Sequence, residues 1–283
     1  MTSLKESRQD LPESSPTYCN CQDAANSHVY LQQRSYVRFN FSQLCRFTVS
    51  LPLIGLVICF VSANIFQQND IHETHCRVYN VIPSISAITG ISPQRYIWRI
   101  VIALHVGPRF LTSLVYHRFY LNQLSRVSQP NKKSYLFHVW LALSLNLIEQ
   151  AALIGVTYVS NRENYPIHEK IFIVFMVSSQ VHMLIVLKLL KMADFGREQQ
   201  SEQRSYFFKR CLFYLSLLCT FGLLIFFVKH RVYCHDMAFS WFSFFEYWIA
   251  ATNMGFHATI IIDFPDEDII VGSNWKSSKT KIK

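Results

Sequence analysis

Long apolar blocks separated by short polar loops run through most of this 283-residue chain. Six of them, at about 44–66, 95–118, 135–159, 170–191, 209–229 and 239–262, are each long enough to cross a ~30 Å hydrocarbon layer as a helix. The last block nevertheless carries Glu246, Asn253 and His257. At about 100° per residue these three fall within an arc of roughly 40° on one helical face. A charged side chain at membrane depth costs ~2.5 kcal/mol or more unless it faces protein or trapped water. The pattern therefore predicts an all-α membrane protein, a six-helix bundle closed around a polar interior. Pro52 and Pro108 fall inside predicted spans, where neighbouring helices can satisfy the carbonyls they free.

Composition agrees: 51% of residues are hydrophobic and 16% charged, against ~25% charged in a soluble domain. A formal charge of +9 would suit nucleic acid, but no basic stripe with interleaved aromatics stands on a soluble domain, so that partner is excluded. Lys and Arg gather instead in alternate loops. One side has Lys5, Arg8, Arg34 and Arg38, then Arg126, Lys132 and Lys133, then Lys191, Arg197 and Arg204, and finally Lys276, Lys279, Lys281 and Lys283. The other side holds Arg77, Arg162, Lys229 and Arg231. Both termini are therefore expected in the cytosol. The expected layout is a disordered cytosolic tail (1–43), a transmembrane domain (44–264) and a basic cytosolic tail (265–283). Met1 to Phe41 has no apolar signal-peptide core, so the first span is read as a signal anchor.

Of eight cysteines, only Cys76 and Cys234 fall in the expected luminal loops, and a disulfide between them would tie the first such loop to the last. Cys19 and Cys21 form C-x-C without further ligands, and no metal site is expected there. The sequon Asn40-Phe41-Ser42 lies on the cytosolic side and should be unmodified. The terminus Lys279-Thr-Lys281-Ile-Lys283 resembles a dilysine address read by coat proteins, which favours the early secretory pathway. A basic tail solvated beside anionic lipid is the competing reading.

Several spans carry costly polar groups. On the second, Arg95, Trp98, Arg99, His105 and Arg109 fit an arc of roughly 120°. Arg95 and Arg99 are either interfacial anchors or a bidentate phosphate clamp. Arg109 lies deeper and needs a partner or an aqueous cavity. The third span offers one, since Glu149 shares a face with Asn146 and, two turns earlier, His138. An Arg109–Glu149 pair would clip two helices together, or Glu149 would act as a proton acceptor tuned by burial. Ser179 and His182 on the fourth span are a weak nucleophile pair, and His168 lies near the luminal interface. His105, His138, His182 and His257 come from four helices with no paired metal-ligand spacing, so no metal is assigned. His257 and Asp263 do not have the spacing of an acyltransferase H-x-x-x-x-D box.

Taken together, these residues resemble a family. The run Pro83-Ser84-Ile85-Ser86-Ala87-Ile88-Thr89-Gly90 followed by Pro93-Gln94-Arg95-Tyr96-Ile97-Trp98-Arg99 is similar to the first-loop signature of the Frag1/DRAM/Sfk1 family of six-helix membrane proteins, in the branch that acts after GPI attachment. The likeness continues through Leu104-His105, Pro108-Arg109-Phe110, Asn146 with Glu149, Ile167-His168-Glu169, Ser178-Ser179 with His182, Glu246-Tyr247, Asn253-Met254 and Phe256-His257. It spans about residues 44 to 264, with Gln150 standing where the family is expected to have Asn.

The resemblance implies fatty-acid remodelling of GPI-anchored proteins in the Golgi or endoplasmic reticulum membrane. There a saturated chain replaces an unsaturated one at the sn-2 position and stabilises surface display. It implies lyso-GPI-anchored proteins and a phospholipid or other acyl donor as partners, and no bound cofactor. On that reading the headgroup phosphate would meet Arg95, Arg99 and Arg109. The freed hydroxyl would meet a general base among Glu149, His257 and His105, in an interior completed by Asn146, His182, Glu246 and Asn253. The competing classes are a non-catalytic lipid-binding regulator or lipid mover, and a proton-coupled transporter; against the latter, no internal repeat is visible.

Overall fold

The structure, a computed structural model, describes residues 34–196 and 199–273. Cys19, Cys21 and the Lys279–Lys281 tail lie outside the described residues. The helices belong to one compact unit, Phe39–Ile269. They are α1 (Phe41–Phe66), the short α2 (Gln68–His72) and α3 (Ile85–Thr89), α4 (Gln94–Asn122), α5 (Lys132–Tyr158), α6 (Tyr165–Met192), α7 (Gln200–Tyr233), α8 (Ala238–Ala258) and α9 (Ile260–Asp263).

Five helices, α1 and α4 to α7, are long and apolar enough to cross a membrane. The sixth expected span is α8, which forms a 21-residue helix but falls below that apolarity. The reason is chemical: α8 buries Ser240, Ser243, Glu246, Thr252 and Asn253 on its inner side. The expected continuous helix to 262 also breaks at Thr259, whose hydroxyl donates to the Phe256 carbonyl at 2.7 Å. A second departure from the all-α expectation is a two-stranded sheet, β1 (Arg34–Asn40) with β2 (Asp268–Ser273). β2 contains the β-branched run Ile269-Ile270-Val271, which favours strand but falls in the stretch 265–283 expected to be tail.

Local chemistry sets the helix starts. The Asn40 side chain accepts from the Gln43 amide at 2.9 Å, so this sequon residue is an N-cap. Ser84 caps α3, and Asn164 caps α6 with Pro166 in its first turn. Within α1, Pro52 has no N–H to offer the Thr48 carbonyl. His105 Nδ1 of α4 takes that carbonyl at 2.7 Å, so the proline's loss becomes an interhelical bond.

Outer faces are apolar: Ile54, Val57, Val61, Leu104, Val177 and Leu218 are all exposed. Inside, α7 and α8 pack closely enough that a Cβ on Gly222 would lie 2.6 Å from the Phe245 ring. At the end of the bundle bearing α9, Lys209 Nζ is buried against Asp263 at 2.6 Å. Ser205 and Tyr116 donate to the same carboxylate, each at 2.5 Å. At the opposite end Cys76 and Cys234 form the expected disulfide.

That bond joins residues separated by 158 positions, and a link across so long a loop stabilises mainly by restricting the unfolded chain. Cys76→Ser or Cys234→Ser should therefore cost roughly 2–5 kcal/mol, read as a lower unfolding temperature in detergent. A wild-type unfolding temperature in both variants would contradict this.

Candidate functional site

Midway along the helices, three elements meet at one carboxylate and a fourth joins through Asn253. Glu149 of α5 is fully buried, and its Oε1 accepts from Arg109 Nη2 of α4 at 2.5 Å and from Asn253 Nδ2 of α8 at 2.8 Å. Asn253 Nδ2 also donates to Ser179 Oγ of α6 at 2.7 Å. His257 Nε2 lies 2.7 Å from Arg109 Nη2 and 3.1 Å from Glu149 Oε1. A guanidinium can only donate, so His257 accepts from Arg109. His182 stacks on His257 with ring centroids 5.8 Å apart, and its Nδ1 donates to the Ala142 carbonyl at 3.0 Å.

Beside this cluster lies a narrow, partly open cleft between the helices. Its deep end is lined by His105, Arg109 and Asn253, its middle by Ile102, Val156, Phe172 and Ile249, and its other end by Ser86, Thr89, His168 and Glu246. Along α4, His105 lies about 15 Å further in than Arg95. The cleft is thus polar at both ends and apolar between them. Because Nδ1 of His105 is committed to Thr48, its Nε2 is an acceptor without a partner among the described residues.

The disulfide end is held by polar contacts. Glu246 Oε2 accepts from the Ile85 amide at 2.8 Å and so anchors α3. Ser86 Oγ of α3 lies 2.8 Å from His168 Nε2 of α6, and His168 Nδ1 lies 2.7 Å from the Val159 carbonyl. A carbonyl only accepts, so Nδ1 carries the proton, Nε2 is the acceptor and the Ser86 hydroxyl donates to it.

Nearby, Arg99 Nη2 and Arg95 Nη1 reach Glu163 at 2.7 and 3.3 Å. Arg99 also donates to the carbonyls of Thr157 and Tyr158 at 3.3 and 2.8 Å. Donation from the Ser160 amide, followed by the Arg99 guanidinium, lowers the Glu163 carboxyl to about 2. Its contribution to stability is present above the unfolded carboxylate pKa and is lost only as pH falls through about 2. This clasp holds residues 157–163, the segment that presents the Val159 carbonyl to His168.

The residues singled out from sequence therefore separate into groups. Arg109, Glu149, Asn253, His257 and His182 come together in the deep cluster, but Glu149, His257 and His182 are absent from the cleft wall. Asn146 accepts from Gln150 at 3.1 Å, and Gln150 also donates to Ser113, forming a separate patch. His138 bonds its own helix through Ser134. Glu246 turns to α3, away from its companions on α8. Arg95 and Arg99 do meet, but around a carboxylate, and Arg109 is about 21 Å along the helix from Arg95. Sequence reasoning missed the Ser86–His168 contact and the Glu163 clasp. The available signals were a serine in a family motif and a histidine in the first turn of a span. Among the described residues, no group of three or more His, Cys, Asp or Glu comes together as a metal site.

Comparison with known proteins places the chain in a family. A family model, the Frag1/DRAM/Sfk1/Cwh43P N-terminal domain, matches residues 40–267. A Drosophila melanogaster protein, post-GPI attachment to proteins factor 2-like, is 55% identical over 233 residues, covering 82% of this chain and 72% of its own. Two proteins named acyltransferase PGAP2 are similar as well. The one from Xenopus tropicalis is 37% identical over 80% of this chain and 88% of its own. The one from Danio rerio is 39% identical over 72% and 87%. No solved structure matches the chain. With the model spanning the whole helical body, the chain belongs to the Frag1/DRAM/Sfk1/Cwh43P N-terminal domain family.

Proposed function

We propose that this chain remodels the lipid of GPI-anchored proteins, reacylating the lyso form with a saturated fatty acid at sn-2 in the Golgi membrane. In this reading α8 crosses the bilayer beside the five more apolar helices, giving six spans with both termini cytosolic. The end bearing the Cys76–Cys234 disulfide faces the oxidising lumen, where GPI-anchored proteins reside. The relatives' names support the reaction class.

The observation that carries the reading is the cleft, whose apolar middle runs between polar groups at the disulfide end and Arg109 at the deep end. It suits an amphiphile with its acyl chain inside and its glycerol and phosphate at the mouth. Arg95 spends one nitrogen on Glu163 and keeps others for a phosphate, whereas Arg99 is largely committed to backbone carbonyls. Arg109 lines the floor of the cleft, and Glu149 behind it pairs with Arg109 and holds the helices in register.

Cells lacking the protein and rescued with wild type should regain saturated sn-2 chains on their GPI lipids, as read by mass spectrometry. Val156→Trp, which fills the bore, should reach the membrane but fail to rescue. An unchanged GPI lipid profile in the deficient cells would overturn the reading. Glu149→Gln leaves Arg109 buried without its counter-charge, a loss of about 3–5 kcal/mol. It should accumulate poorly and unfold early, and full abundance with wild-type thermal stability would contradict the floor role.

A further inference from the structure

The depth of the reaction narrows where its chemistry lies. The glycerol of a bilayer lipid stays at the boundary between headgroup and hydrocarbon. His105 lies about 15 Å further along α4 than Arg95, beyond the reach of an sn-2 hydroxyl held at that boundary. His168, by contrast, is in the first turn of α6 at the disulfide end, and Ser86 faces it across the mouth of the cleft. Their 2.8 Å contact is within the 2.6–3.2 Å expected of a nucleophile and its base. The base is itself oriented, since Val159 fixes its Nδ1 proton and leaves Nε2 to accept from Ser86. The serine is carried on a short helix that Ser84 caps and Glu246 anchors. The imidazole is buried at 7% exposure, so bulk water does not compete for its proton.

Resting on the acyl-transfer reading above, we propose that Ser86 and His168 form a catalytic dyad that carries the acyl chain as a serine ester between a glycerophospholipid donor and the lyso-GPI acceptor. In the first half, Ser86 Oγ attacks the donor's ester carbonyl as its proton passes to His168 Nε2. The bond from that carbonyl to the donor's glycerol oxygen breaks, and the oxygen leaves with the proton from Nε2 as a lysophospholipid. In the second half, the sn-2 hydroxyl of lyso-GPI gives its proton to Nε2 and attacks the acyl-serine. Ser86 Oγ departs with that proton, which restores the starting state. No oxidant, metal or water is consumed. The cleft beyond the dyad accommodates the chain while it is attached.

The test uses full-length protein in nanodiscs, given a phosphatidylcholine with a tagged saturated chain and no acceptor. Peptide mass spectrometry should find the chain on Ser86, stable to neutral hydroxylamine. It should be absent in Ser86→Ala and reduced about 100-fold or more in His168→Gln. Ser86→Cys should carry it as a thioester that hydroxylamine releases. In cells lacking the protein, Ser86→Ala at wild-type abundance should leave lyso-GPI unreacylated.

If Ser86→Ala restores saturated sn-2 chains at the wild-type rate, the dyad is wrong while the remodelling reading stands. If wild type fails to restore them, the remodelling reading falls too. Should Ser86→Ala not accumulate, the Ser86→Cys protein decides, and the lack of a labile adduct overturns the dyad.

Discussion

The bundle depends on one buried charge pair. Arg109 and Glu149 lie in the middle of helices whose outer faces are apolar, where an unpaired charge costs several kcal/mol. Each is tolerable only with the other in place, and Asn253 and His257 of α8 add contacts to the pair, with Ser179 of α6 in turn holding Asn253. Relative to four leucines in lipid, such a network adds little net stability, because desolvation offsets most of the attraction. Its effect is registry: only one alignment of α4, α5, α6 and α8 brings these groups within hydrogen-bonding distance. A second buried pair, Lys209 with Asp263, does the same at the α9 end.

Registry in turn shapes the cleft. With the deep network closing its floor, the apolar walls from Ile102 to Val156 lead outward to a mouth built from loop and helix-end residues. The mouth is organised by separate contacts: Glu246 to α3, the Arg95–Arg99–Glu163 clasp to the α5–α6 turn, and the disulfide across the loops. Two polar sites therefore divide the work. The deep one pairs its charges through Glu149 Oε1 and positions helices, although Glu149 Oε2 and Arg109 Nε stay unpartnered among the described residues, while the shallow one leaves a hydroxyl and an oriented imidazole facing the cleft.

Five long apolar helices and the deep pair were legible in the sequence, because burial among apolar faces leaves a charge few choices. A mid-span arginine must find an acid, and Glu149 was the acid at matching depth on a neighbouring helix. Cys76 and Cys234 were legible because they are the two cysteines in the loops that the Lys and Arg pattern assigns to one side, the side expected to be oxidising. The shortfall of α8 came from the same residues that marked its inner face. The Ser86–His168 contact was not legible. The residues are separated by 82 positions, and the bond that gives His168 its tautomer comes from a backbone carbonyl, which no side-chain pattern encodes. Glu163 was hidden likewise among loop residues, since its meaning depends on the turn that folds it back onto α4. The sheet of β1 and β2 draws on stretches that composition assigns to tails.

The most direct measurement is reconstitution. Purified chain in liposomes, supplied with a lyso-GPI-anchored protein and a saturated phosphatidylcholine, is followed by mass spectrometry of the GPI lipid. Transfer of the saturated chain to the sn-2 hydroxyl, with one lysophospholipid released per chain transferred, is the predicted result. If cells require the protein for remodelling but the pure, folded chain transfers nothing from this donor, its cleft holds lipid for another catalyst, and the chain is not itself the acyltransferase.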